Sequence, residues 1–264
     1  MQPLIFAHAN SLPAGTYRYL FALLRERGFD VQALERFGHD ARYPVTSNWP
    51  HLVQQLADFT QPLVQRWGQP ALFLGHSLGG FVSLMLAAQH QALASGVLML
   101  DSPLINGWRA KSLEMAKRTQ LIDSLSPGKI SRKRRNIWNT REEALALFQS
   151  KKSFARWHPQ MLQDYVTHGL TPTDDARLTL FFSREEETAI YNTLPHNLGQ
   201  LLHLHPLRCP VGFIGGLQSK EMKQVGMDMT QKVTRGRIMM LEGSHLFPME
   251  HPEATAAAIE AQWR

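Results

Sequence analysis

The stretch LFLGHSLGG, residues 72–80, is where residue types and spacing could do covalent chemistry. Ser77 has a glycine two places before it and another two places after. The pattern joins an apolar run, ALFLGH (71–76), to FVSLMLAAQ (81–89), which reads as a buried helix. In a strand–turn–helix setting, G-x-S-x-G makes a tight, strained turn that only small flanking residues allow. The turn lifts the Ser77 hydroxyl clear of the backbone. The helix that follows points its first free N–H groups, and the positive end of its dipole, toward the same spot. A nucleophile so placed is suited to attack on an acyl carbon.

Such a turn needs a sheet to carry it. Six apolar runs read as strands: PLIFAH (3–8), VQALER (31–36), ALFLGH (71–76), GVLMLD (96–101), PVGFIG (210–215) and RIMMLE (237–242). They lack strict polar–apolar alternation, as expected when both faces of a parallel sheet are covered. Helical stretches lie between most of them. Ala14–Gly28 sets Tyr17, Leu20, Phe21 and Leu24 on one stripe and ends on glycine, a stop signal. Trp49–Trp67 and Leu78–Gln91 follow the same rule, and Pro252–Trp263 opens on proline. The alternation predicts an α/β fold with a mostly parallel sheet of about six strands and helices on both faces.

The alternation stops between the fourth and fifth strands. Residues 102–209 hold mainly helical-looking segments: Trp108–Ser124, Arg141–Gln149, Pro159–His168 and Arg184–Thr193, with Phe181-Phe182 as one short apolar run. An insertion after a strand emerges at the carboxyl edge of the sheet, where α/β proteins bind ligands. The domain reading is therefore a core of residues 1–101 and 210–264, with 102–209 as a large helical cap. Trp108, Phe148, Phe154, Trp157, Phe181, Phe182 and Tyr191 are its candidate pocket residues.

On the GHSLGG elbow and its setting, the chain resembles the α/β-hydrolase superfamily, and within it the serine hydrolases with a helical cap. The resemblance spans nearly the full length. In that family the first core strand ends in HG-x, whose third residue lends an oxyanion N–H. Here the residues are His8-Ala9-Asn10, with alanine where glycine is usual. The resemblance thus implies Asn10 and Leu78 as the oxyanion donors, each such donor typically being worth about 3 kcal/mol. GSHLFPMEHP (243–252) resembles the loop that bears the catalytic histidine, which makes His245 the general base. Serine before histidine in chain order agrees with this fold.

The resemblance also implies an aspartate in the loop after PVGFIG. That loop, GGLQSKE, holds Ser219 instead, read from its own residues as a helix N-cap followed by a first-turn acid, Glu221. Two carboxylates remain as candidates. Glu221 stands two places beyond the usual position. Asp101 closes GVLMLD beside the nucleophile strand, where some relatives, among them certain haloalkane dehalogenases and pancreatic-type lipases, carry the acid. Another residue as the acid, or a Ser–His dyad with water, is also left open.

Composition bounds the rest. Apolar residues make up 44% and charged residues 19% of 264, ordinary for a globular chain with a large core. No apolar run is long enough to span a bilayer. MQPLIFAHAN lacks the pattern of a secretory signal, and the single Cys209 excludes an internal disulfide and any CxxC site, so the expected compartment is the cytoplasm. No dinucleotide or phosphate loop and no metal motif is present, so neither cofactor nor metal is expected. Of the formal net charge of +6, five belong to residues 103–200, with a peak at Ser131–Arg135. No nucleic-acid-binding motif accompanies that run, and it reads as a solvated helix face, with attraction of an anionic substrate to a nearby site as the other reading. The expected partner is a small acyl ester or thioester, including one with an anionic portion. A carbon–carbon bond hydrolase with the same residues, and a non-catalytic ligand-binding protein, are the other readings. Substrate identity and oligomeric state are not legible.

Overall fold

The computed structural model describes residues 1–119, 122 and 127–263. In chain order the strands are β1 (Gln2–Ala7), β2 (Phe29–Ala33), β3 (Ala71–His76) and β4 (Ala94–Leu100), then β5 (Ile137–Trp138), β6 (Leu170–Pro172) and β7 (Leu178–Leu180), then β8 (Val211–Gly216) and β9 (Ile238–Leu241). Six of them form one sheet in the order β2-β1-β3-β4-β8-β9, parallel throughout. The chain winds from β1 outward to β2, then crosses back over β1 to β3. The switch point therefore lies between β1 and β3, the position where open α/β sheets leave a crevice at the strand ends.

Side chains of the central strands alternate between two apolar layers, as strand geometry requires. Leu4 and Phe6 of β1, with Leu72 and Leu74 of β3, face the layer that holds the helix Arg18–Glu26 and the C-terminal helix Pro252–Trp263. Ile5, Ala7, Ala71 and Phe73 face the other, packed with the helices Pro50–Trp67 and Leu78–Gln89. Leu78–Gln89 is buried at every residue through Ala88, which its near-continuous apolar sequence allows. Pro50–Trp67 starts with proline and ends at Gly68, whose φ of 65° is the left-handed stop that glycine adopts without strain.

Two expectations need correction. The second strand runs from Phe29 to Ala33, two residues earlier than VQALER. As an edge strand paired only with β1, it buries Phe29 and Val31 alternately, and this alternation sets its register. The insertion is also not only helical. Its helices Gly107–Arg118, Arg141–Gln149, Pro159–His168 and Arg184–Asn192 agree with four predicted segments, although the end predicted at Ser124 falls outside the described residues. Beside them β5, β7 and β6 form a small antiparallel sheet. Trp138, Phe148, Trp157, Met161 and Tyr165 from this segment join the apolar layer of Leu4 and Phe6, so it is anchored on the sheet domain by shared core. Among the described residues, no helix is long and apolar enough to cross a membrane.

Candidate active site

Backbone collisions decide what can flank Ser77. A Cβ added at Gly75 would lie 2.2 Å from the Gly79 carbonyl oxygen, and one at Gly79 would lie 1.9 Å from the Ala7 oxygen on β1. Both distances are far inside van der Waals contact, so strand, turn and helix meet this closely only without side chains. Ser77 itself has φ 52° and ψ −114°, a strained conformation for a residue with a Cβ. It is held by its N–H to the Leu100 carbonyl (2.9 Å) and by Ser102 Oγ donating to its own carbonyl (2.8 Å). Leu78 opens the helix, so its N–H has no carbonyl one turn before it to bond.

Asp101 follows β4 and also has a positive φ, 45°. Its side chain is fully buried and each carboxylate oxygen is engaged. Oδ2 accepts the Gly216 N–H (2.8 Å), while Oδ1 accepts the Ser219 hydroxyl (2.7 Å) and faces His245 Nδ1 at 3.0 Å. Glu221 Oε2 is 3.9 Å from the same nitrogen, beyond hydrogen-bond range, on a side chain that is 46% exposed. Ser219 has one proton, and the shorter contact is to Asp101 rather than to Glu221 (3.3 Å). It also accepts the Met222 N–H, which makes it the N-cap of Lys220–Val225 as the sequence reading expected.

Burial alone would lower the His245 pKa, but the Asp101 hydrogen bond and charge, with the Glu221 charge, outweigh it and raise the imidazole above its ordinary value. Burial pushes the Asp101 carboxyl up. The His245 bond and charge, the Gly216 N–H and the Ser219 hydroxyl together hold it below the usual range. Asp101 is therefore ionised and poised to keep the Nδ1 proton in place, leaving Nε2 as the basic nitrogen. Asp101, Glu221 and His245 offer three donor atoms within 4.8 Å of one another, a spacing that a divalent cation could bridge, although the hydrogen bond already joins two of them.

A second histidine ties three loops together. Tyr17 accepts the Ala9 N–H (3.2 Å) and donates its hydroxyl to His76 Nδ1 (2.8 Å), and His76 Nε2 then donates to the His245 carbonyl (2.9 Å). Of the two neutral tautomers, the one with its proton on Nε2 makes both bonds. Burial, with His245 nearby, lowers the His76 pKa to about 3. His8 is likewise buried and neutral, with its pKa lowered by burial to about 4. It bonds the Ala9 carbonyl and accepts the Phe37 N–H.

Glu250, buried in PMEHP, folds the histidine loop by accepting both the N–H (2.9 Å) and the hydroxyl (2.6 Å) of Ser244. It also pairs with Arg156 (3.1 Å). The sequence reading missed Tyr17, Glu250 and the Ser219–Asp101 contact. Only Glu250 left a signal, its place in the loop that pointed to His245.

Ser77, Asn10 and His245 line one cavity of about 550 Å³ at the switch point. Asn10 is pinned from above by its Nδ2 donating to the Glu187 carbonyl (3.0 Å). Of the proposed pocket aromatics, Phe154, Trp157 and Tyr191 line this cavity and Phe148 an adjoining one. Trp108 is 69% exposed, Phe181 lies under the Arg36 guanidinium, and Phe182 is buried against His8 and His39. The basic run is not a uniformly solvated helix face. Its helix spans only Gly128–Ser131, and Arg134 turns inward to Glu187 (2.9 Å) and the Tyr165 hydroxyl (2.8 Å).

Known proteins have similar chains and a similar fold. Over 231 residues the chain is 24% identical to the abhydrolase domain-containing protein AFT2-1 of Alternaria alternata, covering 74% of this chain and 83% of that protein. A protein of Mycobacterium phage D29 named as a non-heme haloperoxidase is 30% identical over 101 residues. That local match spans 38% of this chain and only 36% of the phage protein. Among solved structures, E-2-(acetamidomethylene)succinate hydrolase superposes with a TM-score of 0.75 at 18% identity, covering 99% of this chain and 91% of that one. The thioesterase domain of the curacin biosynthetic pathway gives 0.75 at 17% identity, covering 98% and 90%. At these identities the structural likeness speaks for the fold alone. The model of the alpha/beta hydrolase family matches residues 4–258, and the chain belongs to that family.

Proposed function

We propose that this protein is a serine hydrolase that cleaves a carboxylic ester or thioester through an acyl-enzyme on Ser77, with residues 102–209 as a cap over the pocket. The observation that carries the reading is the 3.0 Å contact between buried Asp101 and His245 Nδ1, beside a serine on a strained turn in the same cavity. Ser77 Oγ attacks the acyl carbon as His245 Nε2 takes its proton, and the Asn10 and Leu78 N–H groups receive the oxyanion. His245 returns the proton to the departing alkoxide or thiolate. Water, deprotonated by the same imidazole, then cleaves the acyl-enzyme to the free acid and restores Ser77. Asp101 holds the tautomer and steadies the imidazolium, with Glu221 adding charge from the pocket side. The esterase and thioesterase folds among the structural relatives support this substrate class by analogy only.

A fluorophosphonate probe tests it. Wild type should be labelled and Ser77→Ala should not. Folded wild type that resists labelling would leave a non-catalytic binding protein. A p-nitrophenyl ester series of rising chain length then reads the acyl preference.

A further inference from the structure

The cavity that holds Ser77 does not end at its aromatic wall. A second chamber of about 220 Å³ adjoins it, and the two share Arg134, Ser153, Phe154 and Tyr191 as lining. Lys152 lines the larger chamber and its neighbour Lys151 the smaller, so consecutive lysines serve both sides of the divide. Lys220 lines the larger chamber too, from the first turn of the helix after β8.

The charges do not cancel. Arg134 is paired with Glu187, Arg135 with Glu143 and Arg156 with Glu250. Among the described residues Lys151, Lys152 and Lys220 have no ion-pair partner, and the one lining carboxylate left to oppose them is Glu221, which leans toward His245. At the divide, Arg134 offers more N–H donors than Glu187 and Tyr165 consume. Trp157, which lines the cavity, has a buried Nε1 donor without a hydrogen-bond partner among the described residues. Burying a guanidinium–carboxylate pair costs desolvation, so its presence here is poorly explained by stability alone. The surroundings offer cations and donors in excess of acceptors, between the aromatic faces of Phe154 and Tyr191.

We infer that the substrate carries an anionic oxygen group, a carboxylate or a phosphate, on the portion that reaches past Phe154 and Tyr191. Arg134, Lys151 and Lys152 receive that group while the ester or thioester lies at Ser77. The inference rests on the serine-hydrolase reading and goes beyond it by assigning a substrate class and a recognition site. The small chamber suits one compact anionic group rather than a polymer.

The decisive pair is p-nitrophenyl hexanoate against the p-nitrophenyl hemiester of adipic acid, which match in chain length and differ by a terminal carboxylate. The hemiester should have a kcat/KM at least about tenfold higher at low salt, with the gap closing as ionic strength rises. The double variant Lys151→Met/Lys152→Met should erase most of the gap by lowering the hemiester rate more than the hexanoate rate. Arg134→Lys keeps the charge opposite Glu187 but loses the planar fork, and should narrow the gap in a folded protein. Protection of Ser77 from the fluorophosphonate probe by adipate or by hexyl phosphate, relative to hexanol, identifies the anion. Equal rates on the two esters and no protection by either anion, in protein that labels at Ser77, would overturn the anionic-substrate proposal alone. Absence of labelling would overturn the hydrolase reading, and this proposal with it.

Discussion

The floor and the roof of the cavity are built by different means. The floor, made by the ends of β1, β3, β4 and β8, is set by backbone: Gly75 and Gly79 in contact with carbonyls, Ser77 and Asp101 at positive φ, and hydrogen bonds running from loop to loop. The roof, from the segment between β4 and β8, is set by side chains. Phe148, Phe154, Trp157 and Tyr165 pack ring against ring in tilted, edge-on and stacked contacts, and Arg134 lines both chambers. Atoms fixed by main chain move little when a neighbouring side chain changes, whereas a wall of side chains can be recut without disturbing the turn beneath it. On the proposed function, chemistry and selectivity are thereby separated in space.

The strongest way to break that separation is to attack the floor without altering its shape. Asp101→Asn should keep the fold and lower kcat about 10³- to 10⁴-fold, because an amide no longer stabilises the imidazolium or enforces the tautomer. Glu221→Gln should cost no more than about threefold, since it loses only charge at 3.9 Å from His245. It should still move the acid limb of the pH–rate profile. His245 must be neutral to act, so activity rises with pH through its raised pKa. Removing the Glu221 charge lowers that pKa and shifts the limb toward acid. Comparable losses from the two variants would overturn the assignment of the acid.

An effect between those of Asp101→Asn and Glu221→Gln should follow from Tyr17→Phe. It strips one hydroxyl from the chain Ala9–Tyr17–His76–His245 and leaves a buried N–H and a buried imidazole nitrogen unpartnered, at a cost of about 1–3 kcal/mol in stability. Since Tyr17 acts only through the loops it ties, kcat should fall about tenfold with KM little changed, a split read from steady-state kinetics. A rise in KM alone would assign the residue to the roof.

The gentlest probe is pH. His8 and His76 are folded-state neutral, with pKa values of about 4 and about 3 against an ordinary 6.5, so the unfolded chain binds their protons first. Each should cost about 1.4 kcal/mol of stability per pH unit as pH falls below 6.5 toward the folded value. His245, with a raised pKa, works in the opposite sense and offsets part of the loss. Urea midpoints at pH 7.5 and 5.5 measure the net slope, and His8→Asn should flatten it. An unchanged slope would mean that His8 is not held neutral.

Much of the floor is legible in the sequence, because its demands are local. Gly75, Ser77 and Gly79 lie within five residues, and the steric reason for the spacing can be stated from the chain alone. The contest between Asp101 and Glu221 was not legible. It turns on a distance across β4 and β8, strands that meet only after more than a hundred residues of insertion. The small sheet escaped notice because strands of two or three residues carry no periodicity. In the sequence Arg134 is one charge in a basic run, and a run of charges has no direction. Whether it faced water or Glu187 depended on the fold of the whole segment.

The touch between Ser219 and Asp101 bears on how such an enzyme can change over generations. The two residues are 118 positions apart in the chain, yet hydroxyl and carboxylate meet at 2.7 Å. An ancestor or descendant with aspartate at both places would hold two acids in contact, and two acids so close keep one proton between them. One ionised oxygen would still be available to the imidazole. The acid can thus migrate from one strand to another by gain followed by loss, with every intermediate generation carrying a working charge.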